Sequence, residues 1–197
     1  HAGTLDPLAT GVMVVCTGRA TKQIDTLQAG VKEYIATLRL GATTPSFDLE
    51  HPIDHTYATC HIDYTLVEQQ LKKFIGDIWQ TPPAFSAVKV DGKRAYDLAR
   101  KGQEVELKPK LLRIDELELL DCALAGAEKT LTLRVVCSKG TYIRALARDI
   151  GEALGSGAHL TALRRTRVGE YRVENCMQLD EFESWLAQQT IETEIPQ

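Results

Sequence analysis

Residues 131–155, "LTLRVVCSKGTYIRALARDIGEALG", place a clear strand pattern directly before the strongest helix pattern of the chain. The first part is rich in apolar and β-branched residues, which favours a strand. In the second part the apolar side chains recur at helical spacing, and Gly155 follows at the expected end. The residues that line one face of this predicted helix are Ile143, Leu146, Ile150 and Leu154.

Further strands and helices can be predicted on both sides of this stretch. Residues 112–121, "LRIDELELLD", are expected to pair antiparallel with the strand at 131–140, and residues 33–41, "EYIATLRLG", alternate as a strand does. Residues 21–29, residues 65–76 and a segment from Asp180 are predicted to be helical. Because strands outnumber strand–helix–strand units, we expect an α/β (α+β) fold, with helices packed on a mixed, largely antiparallel sheet.

Composition limits the class of protein. The 197 residues are 44% hydrophobic, which is enough for one domain with a buried core. A net charge of −4 argues against indiscriminate binding to nucleic acid. The five cysteines form no C-x-x-C pair, which indicates reduced thiols and a cytoplasmic protein. No apolar run reaches the roughly 20 residues that span a bilayer, and no signal-peptide pattern occurs.

Two groups of basic residues nevertheless suggest a focused site for a polyanion. The first occupies residues 89–101, and the second occupies residues 164–172, shortly after the helix that carries Arg144 and Arg148. Ordinary solvated surface is the alternative interpretation of both groups. The basic residues concerned are Lys89, Lys93, Arg94, Arg100, Lys101, Arg164, Arg165, Arg167 and Arg172.

Asp6, in "HAGTLDPLATGVM" (residues 1–13), has two possible roles. It could be the N-cap of a helix whose first residue is Pro7, or it could be a reactive carboxylate at the edge of a pocket. Arg144 poses a related question. If Thr141 is the N-cap, this cation lies in the first turn, where it opposes the helix dipole and would favour a nearby carboxylate or phosphate.

The sequence contains no pattern that calls for a metal or a nucleotide cofactor. His51, His55, Cys60 and His61 lie close together in sequence, but their spacing matches no zinc motif. Walker, G-x-G-x-x-G and G-x-S-x-G patterns are absent. We therefore expect neither a metal site nor a cofactor.

Five segments occur in the order that is seen in the TruB family of tRNA pseudouridine-55 synthases, and the chain resembles that family from His1 to about Tyr171. The segments are "HAGTLDPLATGVMVVCTGRATK", "KEYIATLRLG", "FSAVKVDGKRAYDLAR", "CSKGTYIRALARDIG" and "GAHLTALRRTRVGEY". One segment departs from the family. "TTPSFDLE" (residues 43–50) retains Asp48 but has Pro45 and Phe47 at unusual places, and we assign it no role.

The resemblance implies roles for individual residues. Asp6 falls on the catalytic aspartate, Tyr34 on the tyrosine that stacks against the target uracil and is a candidate proton acceptor, and Arg144 on the arginine that pairs with the aspartate. Three further positions correspond to the substrate pocket. Tyr142 and Leu163 fall on residues that line it, and His1 falls on the histidine that fills the space left by the displaced nucleotide.

The resemblance also implies an activity and an organisation of the chain. It implies isomerisation of uridine 55 in the T-loop of tRNA, through a flipped-out nucleotide, by a monomer without cofactor, membrane or obligate protein partner. Residues 1–180 would form a catalytic domain that lacks its N-terminal segment, with a thumb-like insertion at 82–110. Residues 181–197 would form a terminal helix and polar tail without a PUA domain. Candidate contacts to the RNA backbone are Lys89, Lys93, Arg94, Arg148, Arg164 and Arg165.

Some alternatives remain open at this point. The aspartate could act at C1′ of the ribose or at C6 of the base. A non-catalytic RNA-binding module on the same scaffold would bind tRNA without converting uridine. An α/β interaction domain would not bind RNA at all.

Overall fold

A computed structural model describes residues 1–86, 88–90, 93–102 and 107–189, and for residues 89, 90, 93 and 94 it describes the backbone only. Most strands belong to one large sheet. The strands are β1 (Ala9–Gly11), β2 (Lys32–Leu40), β3 (Ala42–Thr43), β4 (His55–Thr56), β5 (Gly76–Gln80), β6 (Lys89–Val90), β7 (Lys93–Arg94), β8 (Lys110–Ala123), β9 (Lys129–Cys137), β10 (Ala158–Val168) and β11 (Tyr171–Arg172).

The described residues also form five α-helices and four 3₁₀ turns. The helices are α1 (Ile24–Ala29), α2 (Tyr64–Leu71), α3 (Ala95–Ala99), α4 (Ile143–Ala153) and α5 (Phe182–Ala187). The 3₁₀ turns are Gly18–Gln23, Lys72–Phe74, Val173–Asn175 and Leu179–Glu181. In the predicted helix at 21–29 the first three residues are therefore 3₁₀ turn and the last six are α-helix. The helix expected from Asp180 begins as a 3₁₀ turn.

The large sheet has the strand order β1-β10-β2-β9-β8-β5, with β11 paired to β10. Only the pairing of β1 with β10 is parallel, and every other pairing in this sheet is antiparallel. The expected mixed, largely antiparallel sheet is confirmed, as is the antiparallel pairing of β8 with β9. Two small two-stranded sheets, β3-β4 and β6-β7, lie outside it.

Helix α4 packs against β10 and β2 and closes the hydrophobic core on one face of the sheet. Its apolar stripe is buried as the sequence pattern predicts, and Leu154 follows just beyond it. Because β9 and α4 are joined by only five residues, the first turn of the helix lies beside the end of the central strands. The position of this first turn decides where Arg144 lies.

Two predicted helix caps are wrong. Asp6 does not begin a helix, because its carbonyl accepts a hydrogen bond from the Ala9 amide in a turn that leads into β1. The parallel pairing of β1 with β10 outweighs the local preference of an Asp-Pro pair for a helix start. Tyr142, not Thr141, is the N-cap of α4, and the Thr141 hydroxyl donates to the Ser138 carbonyl instead. Arg144 is therefore the second residue of the helix.

Candidate active site

A cavity of about 390 Å³ lies where the N-terminal segment, β2, β10 and the start of α4 meet. Its wall combines carboxylate, phenol, guanidinium and aliphatic groups from distant parts of the chain. The residues that carry these groups include Asp6, Tyr34, Tyr142, Arg144, Leu163 and Arg165. All five residues predicted at the catalytic centre and pocket wall therefore lie together, whereas His1 is exposed and lies outside the wall.

Asp6 and Arg144 form a bidentate ion pair at this cavity. Nε of Arg144 donates to Oδ2 of Asp6 at 3.0 Å, and Nη2 donates to Oδ1 at 2.9 Å. The arginine is 5% exposed, whereas about a third of the Asp6 side chain remains accessible. Two parallel hydrogen bonds fix the plane of the carboxylate as well as its position. Of the two charged groups in this pair, the Asp6 carboxylate is thus the one that can reach a ligand in the cavity.

A second carboxylate lies behind this pair and was not assigned a role from the sequence. Oδ2 of Asp48, which is 1% exposed, lies 3.7 Å from Nε of Arg144. Its other oxygen accepts hydrogen bonds from the Ser46 hydroxyl at 2.5 Å and from the Glu50 amide at 2.9 Å. The Ser46 carbonyl also accepts from Nη1 of Arg144 at 3.2 Å. The segment at 43–50 is therefore the back wall of the arginine site.

Phe47 shows how this back wall is held in place. Its backbone adopts a positive φ of 57°, which is uncommon for a bulky residue. Its carbonyl accepts from the Leu160 amide at 2.9 Å, and the guanidinium of Arg148 lies 5.5 Å from its ring centroid. These contacts anchor the segment to β10 and α4 and compensate for the unfavourable backbone conformation.

Tyr34 lies on β2, opposite Arg165 of β10. Burial raises its pKa to about 12, and the neighbouring Arg165 guanidinium opposes part of that rise. The phenol is therefore neutral near pH 7. It can present a flat face to a ligand, and it can take part in proton transfer only if it passes on its own proton as it accepts another.

Tyr142 and Leu163 complete the wall of the cavity. The peptide groups of Tyr142 are clamped by the buried Gln80 amide, which accepts from the Tyr142 amide at 2.9 Å and donates to the Tyr142 carbonyl at 3.2 Å. Burial raises the pKa of the Tyr142 phenol. Leu163 is buried on β10 and pairs with Ala36 and Ala9 on the two neighbouring strands.

The predicted contacts to an RNA backbone differ in accessibility. Arg164 is exposed. The Arg148 side chain is 17% exposed, and it donates to Asp149 and to the Thr81 carbonyl. The prediction for Arg165 is wrong, because this side chain is 1% exposed and donates to backbone carbonyls within the protein. The side chains of Lys89, Lys93 and Arg94 lie outside the described part of the structure.

The histidine-rich segment does not converge on a metal. His51 contacts the Ser46 hydroxyl, His55 lies near Asp54, and His61 contacts the Leu154 carbonyl. Among residues 1–86, 88–90, 93–102 and 107–189, no group of three or more His, Cys, Asp or Glu side chains could hold a metal ion. Within the same ranges no helix is long and apolar enough to cross a membrane.

Two family models together match almost the whole chain. The model for the TruB family pseudouridylate synthase N-terminal domain matches residues 1–143, and the model for the tRNA pseudouridylate synthase B C-terminal domain matches residues 144–196. The chain belongs to the TruB family. It is therefore a pseudouridine synthase, an isomerase that converts uridine to pseudouridine in tRNA.

Curated relatives of this TruB-family chain are similar over nearly its whole length. It is 67% identical over 194 residues to the tRNA pseudouridine synthase B of Bacteroides thetaiotaomicron, covering 98% of this chain and 81% of the relative. It is 51% identical over 186 residues to the enzyme of the same name from Flavobacterium johnsoniae, covering 94% of this chain and 80% of the relative.

Solved structures confirm the pseudouridine-synthase fold. A crystal structure of a Cbf5–Nop10–Gar1 complex contains a chain with 30% sequence identity and a TM-score of 0.66, covering 94% of this chain and 45% of that one. A structure of an H/ACA RNP bound to a substrate RNA containing 2′-deoxyuridine gives 26% identity and a TM-score of 0.64, covering 95% of this chain and 45% of the matched chain.

Proposed function

We propose that this TruB-family chain isomerises uridine 55 in the T-loop of tRNA, with Asp6 as the catalytic carboxylate. The observation that carries the proposal is the bidentate pair of Asp6 and Arg144 at the wall of a cavity that Tyr34 also lines. A ~390 Å³ cavity falls within the range of small-ligand sites, so a single nucleotide is a reasonable occupant.

The reaction breaks the bond from uracil N1 to ribose C1′ and forms a bond from C5 to C1′. The C5 proton is lost and N1 gains a proton, so there is no net redox change and no cofactor is needed. Asp6 would act as nucleophile or stabilise a cation, at C1′ or at C6 of the base. Arg144 stabilises the negative charge of Asp6 during this step and fixes its orientation.

Tyr34 and the pocket wall would hold the base while it is detached. The phenol ring offers a stacking surface for uracil, and Tyr142 and Leu163 limit the movement of the base. Within a stacked nucleic acid the ribose and base are inaccessible, so the nucleotide must flip out at a cost of a few kcal/mol. His1, which is exposed, would fill the space left in the stack.

Binding of the tRNA would use cations at the protein surface. Arg164 is the clearest of these, with a contribution from Arg148, and Lys89, Lys93 and Arg94 are proposed contacts from the insertion at 82–110. Residues 1–180 would act as one catalytic unit, followed by the terminal helix and tail at 181–197. We expect a cytoplasmic monomer that needs no protein partner.

A tRNA transcript with uridine only at selected positions tests the proposal. The protein should form pseudouridine at position 55, detected by carbodiimide modification and primer extension, and a matched transcript with cytidine at 55 should gain no modification elsewhere. A tRNA that binds without conversion would favour a non-catalytic RNA-binding module. Conversion at another uridine, with position 55 untouched, would reject the T-loop assignment.

A further inference from the structure

Asp6 lies in a loop that has little regular structure of its own. Within residues 1–14 only the three residues of β1 form a strand, and the loop closes through a hydrogen bond from the Ala2 amide to the Val14 carbonyl. The carboxylate of Asp6 must nevertheless stay in one orientation against Arg144. An additional element therefore has to fix the two limbs of this loop.

Arg165 occupies the interior of the loop. Its Nε and Nη2 atoms donate to the Val12 carbonyl at 2.9 and 2.7 Å, and Nη2 also donates to the Gly3 carbonyl at 3.1 Å. Nη1 reaches the Thr4 carbonyl at 3.5 Å. One guanidinium thus connects the limb before Asp6 with the limb after it. These four hydrogen bonds all go to backbone carbonyls of the loop, so these donors serve the loop and not a carboxylate.

The loop also packs closely against the backbone of Arg165. Val12 donates its amide to the Arg165 carbonyl at 2.8 Å, and Gly11 pairs with Arg165 in the parallel register. A Cβ at Gly11 would lie 2.1 Å from that carbonyl oxygen, and a Cβ at Gly3 would lie 3.4 Å from Nη1 of Arg165. Both glycines also have positive φ, of 101° and 99°. No larger residue fits at Gly11 without moving β1 away from β10.

Arg165 also faces the other chemically active wall of the cavity. It is the cross-strand partner of Tyr34, and its guanidinium lies close enough to the phenol to oppose the rise in its pKa. Both Arg165 and Tyr34 line the same cavity as Asp6. The Arg165 side chain therefore contacts both the loop that carries Asp6 and the Tyr34 phenol.

We propose that Arg165 is a positioning residue, which holds the Asp6 loop and the Tyr34 ring at a fixed separation across the cavity. This inference rests on the proposed role of Asp6. A lysine at 165 would keep the charge but would present one ammonium in place of a planar group with donors on several sides. It could not bind the Val12 and Gly3 carbonyls with the same geometry, so the carboxylate would shift while the RNA-binding surface would not.

The test compares Arg165→Lys with Arg39→Lys, a matched change on the same sheet at a partly exposed ion pair. Single-turnover isomerisation at saturating tRNA and the Kd for tRNA are measured for variants that circular dichroism shows to be folded. We expect Arg165→Lys to lower the rate constant by about 10²-fold, the usual effect of a ~1 Å misplacement, with Kd close to wild type. Arg39→Lys should change neither quantity.

A second variant keeps the proposal testable if Arg165→Lys does not fold. Gly3→Ala disturbs one limb of the loop and leaves the guanidinium in place, and it should also lower the rate constant without changing Kd. A wild-type rate in the folded variants would overturn the proposal, and so would a rate that falls only in proportion to tRNA affinity. Asp6→Asn is measured alongside. If it stays active, the role of Asp6 fails, whereas an inactive Asp6→Asn with a fully active Arg165→Lys rejects only the positioning role.

Discussion

The carboxylate of Asp6 and the guanidinium of Arg144 are 138 residues apart in sequence, yet they meet through two hydrogen bonds of 3.0 and 2.9 Å. The arginine is the more deeply buried partner, and Asp48 and the Ser46 carbonyl contact it from behind. Asp48 and the Ser46 carbonyl therefore fix the orientation of the Arg144 guanidinium, and the guanidinium in turn fixes the orientation of the Asp6 carboxylate.

Arg144→Lys should retain the fold and tRNA binding but isomerise slowly. A lysine ammonium cannot donate two parallel hydrogen bonds to one carboxylate, so Asp6 would lose its fixed plane. We expect the single-turnover rate constant to fall by about 10²-fold or more, because misplacement by ~1 Å has that effect. Tritium release from tRNA labelled with [5-³H]uridine measures the rate. Wild-type turnover in this variant would contradict a role for the bidentate geometry.

Ser46→Ala should lower the stability of the protein, because Ser46 belongs to the buried segment behind Arg144. The buried hydroxyl donates to Asp48 and contacts Nδ1 of His51 at 3.0 Å, so its removal leaves buried polar atoms with fewer partners. We expect the free energy of unfolding in urea to fall by about 1–3 kcal/mol. Thr21→Ala removes an exposed hydroxyl that bonds the Gly18 carbonyl, and it should stay within about 0.5 kcal/mol of wild type. Equal effects of the two changes would contradict the buried network.

Tyr34→Phe should reduce the loss of stability at alkaline pH. The pKa of Tyr34 rises from 10.0 to about 12 on folding, so the unfolded chain loses this proton first and stability falls as pH increases through that window. The contribution approaches 1.4 kcal/mol per pH unit at most. Burial also raises the pKa of Cys137, to about 11, and this group acts in the same direction in both proteins.

Urea unfolding of wild type and Tyr34→Phe at pH 8 and above pH 10 therefore isolates the effect of Tyr34 on the pH dependence of stability. Tyr171→Phe alters an exposed tyrosine and should behave like wild type. Identical alkaline profiles for Tyr34→Phe and wild type would show that the phenol is not buried in the folded protein.

Arg164→Ala should weaken tRNA binding and reduce its dependence on salt. If this exposed side chain contacts one phosphate, the slope of log K against log salt concentration should decrease by about 0.7–0.9. The rate constant at saturating tRNA should not change, because Arg164 does not line the cavity. Filter binding at several salt concentrations measures the slope. An unchanged slope would remove Arg164 from the proposed RNA contacts.

The sheet and the main helix were predictable because their signals are periodic. Alternation in β2 and the apolar stripe of α4 follow directly from which face of each element is buried. That Asp6, Tyr34 and Arg144 lie together could be predicted only from the resemblance to a family. The topology of the sheet brings these three residues together, and no local sequence pattern specifies that topology.

The remaining features depend on tertiary context. Arg164 and Arg165 are adjacent residues of β10, so their side chains point to opposite faces of the sheet. Only the tertiary packing decides which of the two faces is covered, and it is Arg165 that is buried. Asp48 lies in a segment without a period, and its role depends on the first turn of α4 lying above it. The cap expected at Asp6 was wrong because pairing with β10 overrides the local preference for a helix.

Asp6 is proposed to perform the chemistry, and not merely to support the fold or bind RNA. The most direct measurement is single-turnover tritium release by Asp6→Asn, an isosteric change, together with its Kd for the same tRNA. We expect no detectable isomerisation, with a tRNA affinity close to that of wild type. Near-normal tritium release by the folded variant would contradict it.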